Sequence, residues 1–224
     1  MIIDCISDLH GHFPELPGGD LLILAGDYTA RDRVPEWDAF YKWLDSQNYR
    51  KKVYIGGNHD NFLTQCCSKE NPMHSHLKSL NEYDAEEPVY LCDSGTEFEG
   101  LTIWGSPWTK TFPGMNPHCM AFTCETEEEL AEKWACIPED VDILVTHGAP
   151  WTILDKTTRG EQVGSTSLLF EHLKRLKPKL WIFGHVHEAY GINGPYQWNN
   201  TKYVNASHVN EHYQPVNKPI RIEL

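Results

Sequence analysis

The sequence is short of positive charge. It holds 19 Lys and Arg against 32 Asp and Glu, a formal net charge of −13. Binding nucleic acid without regard to sequence needs a basic face, so that class is set aside. An anionic substrate is not set aside, because a bound cation inverts the field around it. Long apolar runs are also lacking: no stretch approaches the roughly 20 residues of a membrane-crossing helix. The opening MIIDCISDLHGH has no basic leader, and Asp4 and Asp8 interrupt its apolar run, so it does not read as a secretory signal. The expectation is a cytoplasmic protein with no membrane partner. The seven cysteines are an odd number and contain no C-x-x-C pair. They read as reduced thiols rather than a disulfide frame or a zinc knuckle. No repeat, low-complexity tract or linker divides the 224 residues, so one domain over 1–224 is expected.

What is present is a series of short apolar runs, each followed by polar residues. The runs are 1–7, 21–26, 51–57, 88–92, 101–106, 141–148, 179–185 and 201–207. Their length, β-branched content and near-continuous hydrophobicity suit strands buried on both faces. Helical patterns lie between some of them. Residues 35–47 begin with Pro35 at a helix-start position and carry Trp37, Phe40, Tyr41 and Leu44 at helical spacing. Residues 126–137 place Thr126 and Glu129 in capping-box spacing, and 165–176 is a third helix. EFEGLTIWG, 97–105, reads as a hairpin around Glu99-Gly100. The alternation followed by strand-rich segments predicts two packed sheets with helices outside. Residues 61–87 and 107–125 have weak patterns and read as surface loops, the kind that often carry specificity.

The polar clusters after the strands form a set. Asp8-Leu9-His10 follows the first run, Gly26-Asp27 the second, and Gly57-Asn58-His59-Asp60 the third. His147-Gly148 follows DILVT, and Gly184-His185-Val186-His187 follows LWIF. Ligands of open α/β sheets bind outside the carboxyl ends of the strands. Oxygen and imidazole donors with no thiolate suit divalent metals such as Mn²⁺, Fe²⁺ and Zn²⁺. Any one cluster is a weak signal; the five in this order point to a shared metal site.

This order resembles the calcineurin-like metallophosphoesterase superfamily, with its D-x-H, G-D, G-N-H-[DE], H-G and G-H-x-H blocks, from Asp8 to His187. DILVTHGAP, LKPKLWIFGHVHEAYG and YVNAS are similar to its metallophosphoesterase-domain branch of cyclic-nucleotide and nucleotide phosphodiesterase type. The fold the resemblance implies is a four-layer αββα sandwich, two mixed β-sheets flanked by helices. It implies two divalent metal ions, Mn, Fe or Zn, with Mn the expected activator in vitro. Asp8, His10, Asp27 and His187 would hold one; Asp27 would bridge to the second, held with Asn58, His147 and His185. Asn58, His59 and Arg31 would contact substrate.

The implied reaction is hydrolysis of a phosphodiester, on a nucleotide or another small phosphate ester, by a metal-bridging hydroxide. His59 would protonate the leaving oxygen, and Asp60 would orient His59 and raise its pKa. Asp60 has a plainer reading as a carboxylate at a helix N-terminus. Arg31 sits in GDYTARD, four residues after Asp27, where phosphatases of the superfamily carry a phosphate-binding arginine; a solvated loop arginine is the other reading. Trp108 could stack on a base or sit buried. A phosphomonoesterase, such as a protein phosphatase or dinucleoside-tetraphosphate hydrolase, is the alternative function. A non-catalytic scaffold is a third, against which the full ligand set and His59 speak.

Overall fold

A computed structural model describes residues 1–67, 88–112, 114–196 and 199–224, without the side chains of Cys66 and Cys67. Much of the predicted loop 61–87, with His74 and His76, therefore lies outside the described residues. One sheet has the order β13 (Ile220–Glu223), β1 (Ile2–Ile6), β2 (Gly19–Leu24), β3 (Tyr49–Tyr54), β4 (Val89–Tyr90). It is parallel except for β13, which pairs antiparallel with β1. The second sheet has the order β11 (Gly191–Asn193), β12 (Lys202–Asn205), β10 (Leu180–Phe183), β9 (Ile143–Thr146), β6 (Leu101–Ser106), β5 (Ser94–Phe98). Its central strands run parallel and both edges antiparallel. A two-stranded pair, β7 (Thr109–Lys110) with β8 (Thr123–Cys124), lies within the predicted loop 107–125.

Alternation along the strands builds the layers. Ile3, Cys5, Leu21, Ile23, Val53 and Ile55 of the first sheet meet Ile143, Val145, Leu180, Ile182 and Val204 of the second in one buried core. The intervening residues face helices. Leu22, Leu24 and Tyr54 pack with Trp37, Phe40, Trp43 and Leu44 of α1 (Val34–Ser46). On the far side, Leu144, Trp181 and Phe183 pack with Leu130 and Trp134 of α3 (Glu127–Trp134) and Leu168 of α4 (Thr166–Lys174). This is the expected four-layer arrangement. A further α-helix, α2 (Asn61–Cys67), follows directly from the third polar cluster.

Local chemistry sets the element ends. Thr126 and Glu129 form the predicted capping box of α3, and Ser165 caps α4 through the Leu168 N–H at 3.1 Å. The hairpin turn lies at Glu99 and Gly100, both at positive φ (51° and 77°), which matches the twist of the paired strands. Arg221 of β13 grips buried Asp4 of β1 in a bidentate pair, at 2.8 and 2.7 Å. The reading of every cysteine as a reduced thiol holds for Cys5, Cys119, Cys124 and Cys136 and is corrected at Cys92, which is disulfide-bonded. An odd count excludes a full frame but not a single bridge. Among the described residues no helix is long and apolar enough to cross a membrane.

His172 of α4 is a buried histidine away from the polar clusters. Its Nδ1 lies 2.8 Å from the Leu176 carbonyl, which can only accept, so Nδ1 carries the proton. Nε2 is then the acceptor for the Tyr203 hydroxyl at 2.5 Å and the Asn199 amide at 2.7 Å. Burial pushes the His172 pKa down from 6.5 to about 4. The folded state thus binds fewer protons than the unfolded one between those values. The stability this provides is complete above about pH 6.5 and is lost as pH falls toward 4. Urea unfolding of wild type and His172→Gln across pH 4–7 should show a difference that shrinks toward the acid end; a pH-independent difference would refute it.

Candidate metal centre

The five clusters meet where the carboxyl ends of the two sheets come together. Ser7, just after β1, bridges in parallel to Ser207, just after β12. The Ser7 N–H donates to the Ala206 carbonyl at 2.9 Å, and the His208 N–H to the Ser7 carbonyl at 2.7 Å. On the first sheet, the Asp8 N–H donates to Gly26 O at 2.9 Å and the His10 N–H to Asp27 O at 3.0 Å. The Gly184 N–H donates to His147 O at 3.1 Å on the second. These bonds fasten neighbouring polar turns to each other.

The carboxylates lie deepest. Asp8 and Asp27 are 0% and 1% exposed. Asp8 accepts from the His185 N–H at 3.1 and 3.0 Å and from the Ser207 hydroxyl at 2.8 Å. Asp27 accepts from the His59 N–H at 2.8 Å. The imidazoles converge on them. His187 Nε2 is 3.3 Å from Asp8 Oδ1 and 3.3 Å from His10 Nε2. His10 Nε2 is 3.8 Å, and His147 Nε2 3.4 Å, from Asp27 Oδ2. His147 Nε2 also lies 3.0 Å from Asn58 Oδ1. His147 Nδ1 points at the Ala25 carbonyl (2.8 Å) and Asn58 Nδ2 at the Cys119 carbonyl (3.2 Å), which turns Nε2 and Oδ1 inward.

Two donor sets result, Asp8–His10–His187 and Asp27–His147–His185, and a third, His10–Asp27–His59, spans them. Several observations fit them to divalent cations. His10 Nε2 and His187 Nε2 converge to 3.3 Å beside Asp8, and buried His10 Nδ1 has no partner. Burial opposes charge on both Asp8 and Asp27, but the surrounding histidines hold both carboxyls below the usual range. Burial pushes His10 down to about 4 and His185 to about 3, which keeps both rings neutral. Burial also opposes charge on His147, but Asp27 outweighs it and raises the ring to about 9. Ionised carboxylates and the neutral rings of His10 and His185 are ready ligands for a cation, two buried carboxylates attract one, and an ion taking His147 would displace its proton.

Close approach explains the glycines. A Cβ on Gly184 would come 2.1 Å from Asp8 Oδ2, and one on Gly57 2.3 Å from Asp27 Oδ1. Asp8, His10, Asp27 and His185 themselves hold positive φ, at 53°, 44°, 59° and 65°. L-residues avoid that region except where surrounding bonds enforce it.

Two expectations about substrate-side residues change. Asp60 is fully buried, and it does not bond the His59 ring. Its Oδ2 accepts from the Asp27 and Gly57 amides at 2.8 Å each, and its Oδ1 from the Tyr28 amide at 3.1 Å. The side chain faces the peptide groups of its own turn and of the β2 turn, so it ties the two together. Burial and neighbouring Asp27 push its pKa up, against the pull of these amides. The group on His59 Nδ1 is instead the Cys119 thiol, at 3.4 Å. Arg31 is exposed and lies outside the cavity lining. The chain buries Tyr28 and Thr29 and then turns outward at Ala30. Trp108 is structural: its indole N–H donates to Asp93 at 2.7 Å, and Lys133 lies over its ring at 3.9 Å.

Sequence reasoning missed Ser207, Cys119 and Tyr213. Ser207 sat in the YVNAS motif without a role. Cys119 lay in a weakly patterned segment, and nothing in sequence marked Tyr213. That residue packs its ring on His10 and His187, with centroids 4.8 and 5.2 Å away. A cavity of about 830 Å³ opens from Asp27, Asn58, His59, His185 and His187 and runs out to Phe112, Trp151 and Tyr213.

A layered α/β sandwich with paired Asp/His donor sets at the joined sheet ends is the architecture of a metal-dependent phosphoesterase. The sequence model of the calcineurin-like phosphoesterase family matches residues 1–189, and the chain belongs to that family. It is 38% identical to human metallophosphoesterase domain-containing protein 1 over 98% of this chain and 70% of that protein. It is 33% identical to the UPF0046 protein T07D4.2 of Caenorhabditis elegans, over 98% of this chain and 59% of that one. The crystal structure of TT1561 of Thermus thermophilus shares the fold, with a TM-score of 0.54 and 15% identity over 91% of this chain and 88% of that chain.

The Asp60 geometry gives a test of stability. Asp60→Ala leaves three amides without acceptors and should cost at least about 3 kcal/mol by chemical denaturation. Unchanged unfolding with activity alone reduced would restore the orienting role on His59.

Proposed function

We propose that the chain is a binuclear-metal phosphoesterase that hydrolyses phosphodiester bonds of a nucleotide or another small phosphate ester. The observation that carries this is Asp27, whose Oδ2 faces His10 on one side and His147 on the other and so links the two donor sets. Asp8, His10, Asp27 and His187 would hold one cation, and Asp27, Asn58, His147 and His185 a second. Mn²⁺ is the expected activator. When bound, such ions acidify water and offset the negative charge of the phosphoryl oxygens. His59 lines the same cavity, with its N–H fixed on Asp27 Oδ1 and its Nδ1 on Cys119. It would deliver a proton to the leaving oxygen from Nε2. Asn58 would contact the substrate beside it. The preference for diesters is supported by the cavity, far larger than a phosphate needs, which has room for organic groups on both sides of phosphorus.

His59→Ala should lower turnover by roughly a hundredfold or more on an ester with a poor leaving group, and much less on a p-nitrophenyl ester. Metal content by elemental analysis should stay normal. Equal losses on both esters would sink the acid role.

Chelation should abolish activity and added Mn²⁺ restore it, while Asp27→Asn should hold neither ion firmly. Under Mn²⁺, bis-p-nitrophenyl phosphate and cyclic nucleotides should be preferred to p-nitrophenyl phosphate and a phosphopeptide. The reverse order would establish the phosphomonoesterase reading. Turnover by verified metal-free protein would defeat the mechanism.

A further inference from the structure

Tyr213 lies beyond the residues matched by the family, in a turn that no motif announced. Its ring packs on three histidines of the centre: His10 at 4.8 Å, His187 at 5.2 Å and His59 at 6.3 Å between centroids. It is nonetheless 50% exposed and lines the cavity. Among the described residues its side chain makes no hydrogen bond. A large ring left half in solvent beside catalytic groups offers a face that a ligand can cover.

The backbone holds the ring there against local preference. Tyr213 has φ of 57°, unfavourable for a bulky L-residue. Asn210 builds the turn: its Oδ1 accepts from the His212 and Gln214 amides at 3.0 Å each, and its carbonyl from the Tyr213 amide at 2.8 Å. The Asn210 amide closes the loop on Gln214 O at 3.0 Å. The turn is anchored through His208 to Ser7 O and through Asn217 to Ser207 O, the strand ends that flank Asp8. The ring is therefore placed on the same framework as the Asp8 donor set. It lies against His10, whose ring is itself 4.5 Å from that of His59 and 5.2 Å from that of His187. His59 and Tyr213 line the same cavity 6.3 Å apart, so an organic group bound beside His59 is within reach of the ring.

We propose that Tyr213 is a specificity residue that contacts the organic group of the ester, and that the preferred substrate carries a planar, aromatic group such as a nucleobase or an aryl ring. This rests on the phosphoesterase reading and deepens it. The competing role is a brace for His10 and His187, which would act on metal binding alone.

The test is calorimetric binding of phenylphosphonate, methylphosphonate and inorganic phosphate to the full chain loaded with Mn²⁺, with metal content measured in parallel. Wild type should bind phenylphosphonate roughly tenfold more tightly than methylphosphonate, the scale of one stacked ring. Tyr213→Phe should keep that preference. Tyr213→Leu and Tyr213→Ala should erase it with phosphate affinity and metal content unchanged. A preference that survives in both of the latter variants overturns the proposal, as does loss of metal or of phosphate binding, which would establish the brace. Wild-type protein that binds none of the three anions overturns this proposal and the phosphoesterase reading together.

Discussion

Two carboxylates, Asp8 and Asp27, sit with almost no solvent access at the joint between two sheets. An uncompensated buried charge costs several kcal/mol, so the surrounding structure has to answer both. The answers come from separate parts of the chain. Asp8, at the end of the first sheet's β1, takes the His185 N–H and the Ser207 hydroxyl, both carried by the second sheet. Asp27 takes the His59 N–H from the next strand's turn and faces His147 from across the sandwich. The charges therefore act as cross-sheet fasteners, and the hydrophobic core between the sheets need only bring the layers together without setting their final register.

The same requirement accounts for the backbone. A strand would carry its last side chain onward in the extended direction. Asp8, His10, Asp27 and His185 instead turn back through positive φ, which aims donors from parallel strands at shared points. Glycine would adopt that conformation without strain but has no ligand to offer. Glycine is used where no side chain fits, as at Gly57 and Gly184 against the carboxylate oxygens. Asp60 belongs to this scheme. By accepting three amides from two turns it holds the bent backbone in place, which explains a buried acid that touches no imidazole.

The layered fold and the donor sets were legible because both follow from short-range patterns. Near-continuous apolar runs mark strands buried on both faces, and the Asp and His positions directly follow the runs. The α3 capping box and the Glu99-Gly100 turn are likewise local. The failures concern side-chain direction. Asp60 adjoins His59 in sequence, but three amides capture its carboxylate. Arg31 stands near Asp27 along the chain, yet the turn after Thr29 sends it to solvent. Cys119 reaches His59 across a separation of 60 residues, in a segment with no periodicity. The short strands β7, β8 and β11 have too few residues for alternation to declare itself. The Cys92 bridge eluded an argument based on cysteine count.

These failures and successes divide the site by origin. The donor sets that could hold metal come from turns after core strands, and hydrogen bonds between those turns leave them little freedom. The groups arranged around them come from outside that framework: Cys119 from an irregular segment, Phe112 from the end of β7, Tyr213 from a turn past the last residue matched by the family. A change in the first set disturbs a buried charge and its partners together. A change at Tyr213 or Phe112 alters only a wall of the cavity, since both are half exposed and satisfy no buried group. Substrate choice can therefore shift in this fold without disturbing the charges that hold it together, and the ester's organic group has to be sought in the walls rather than in the motifs.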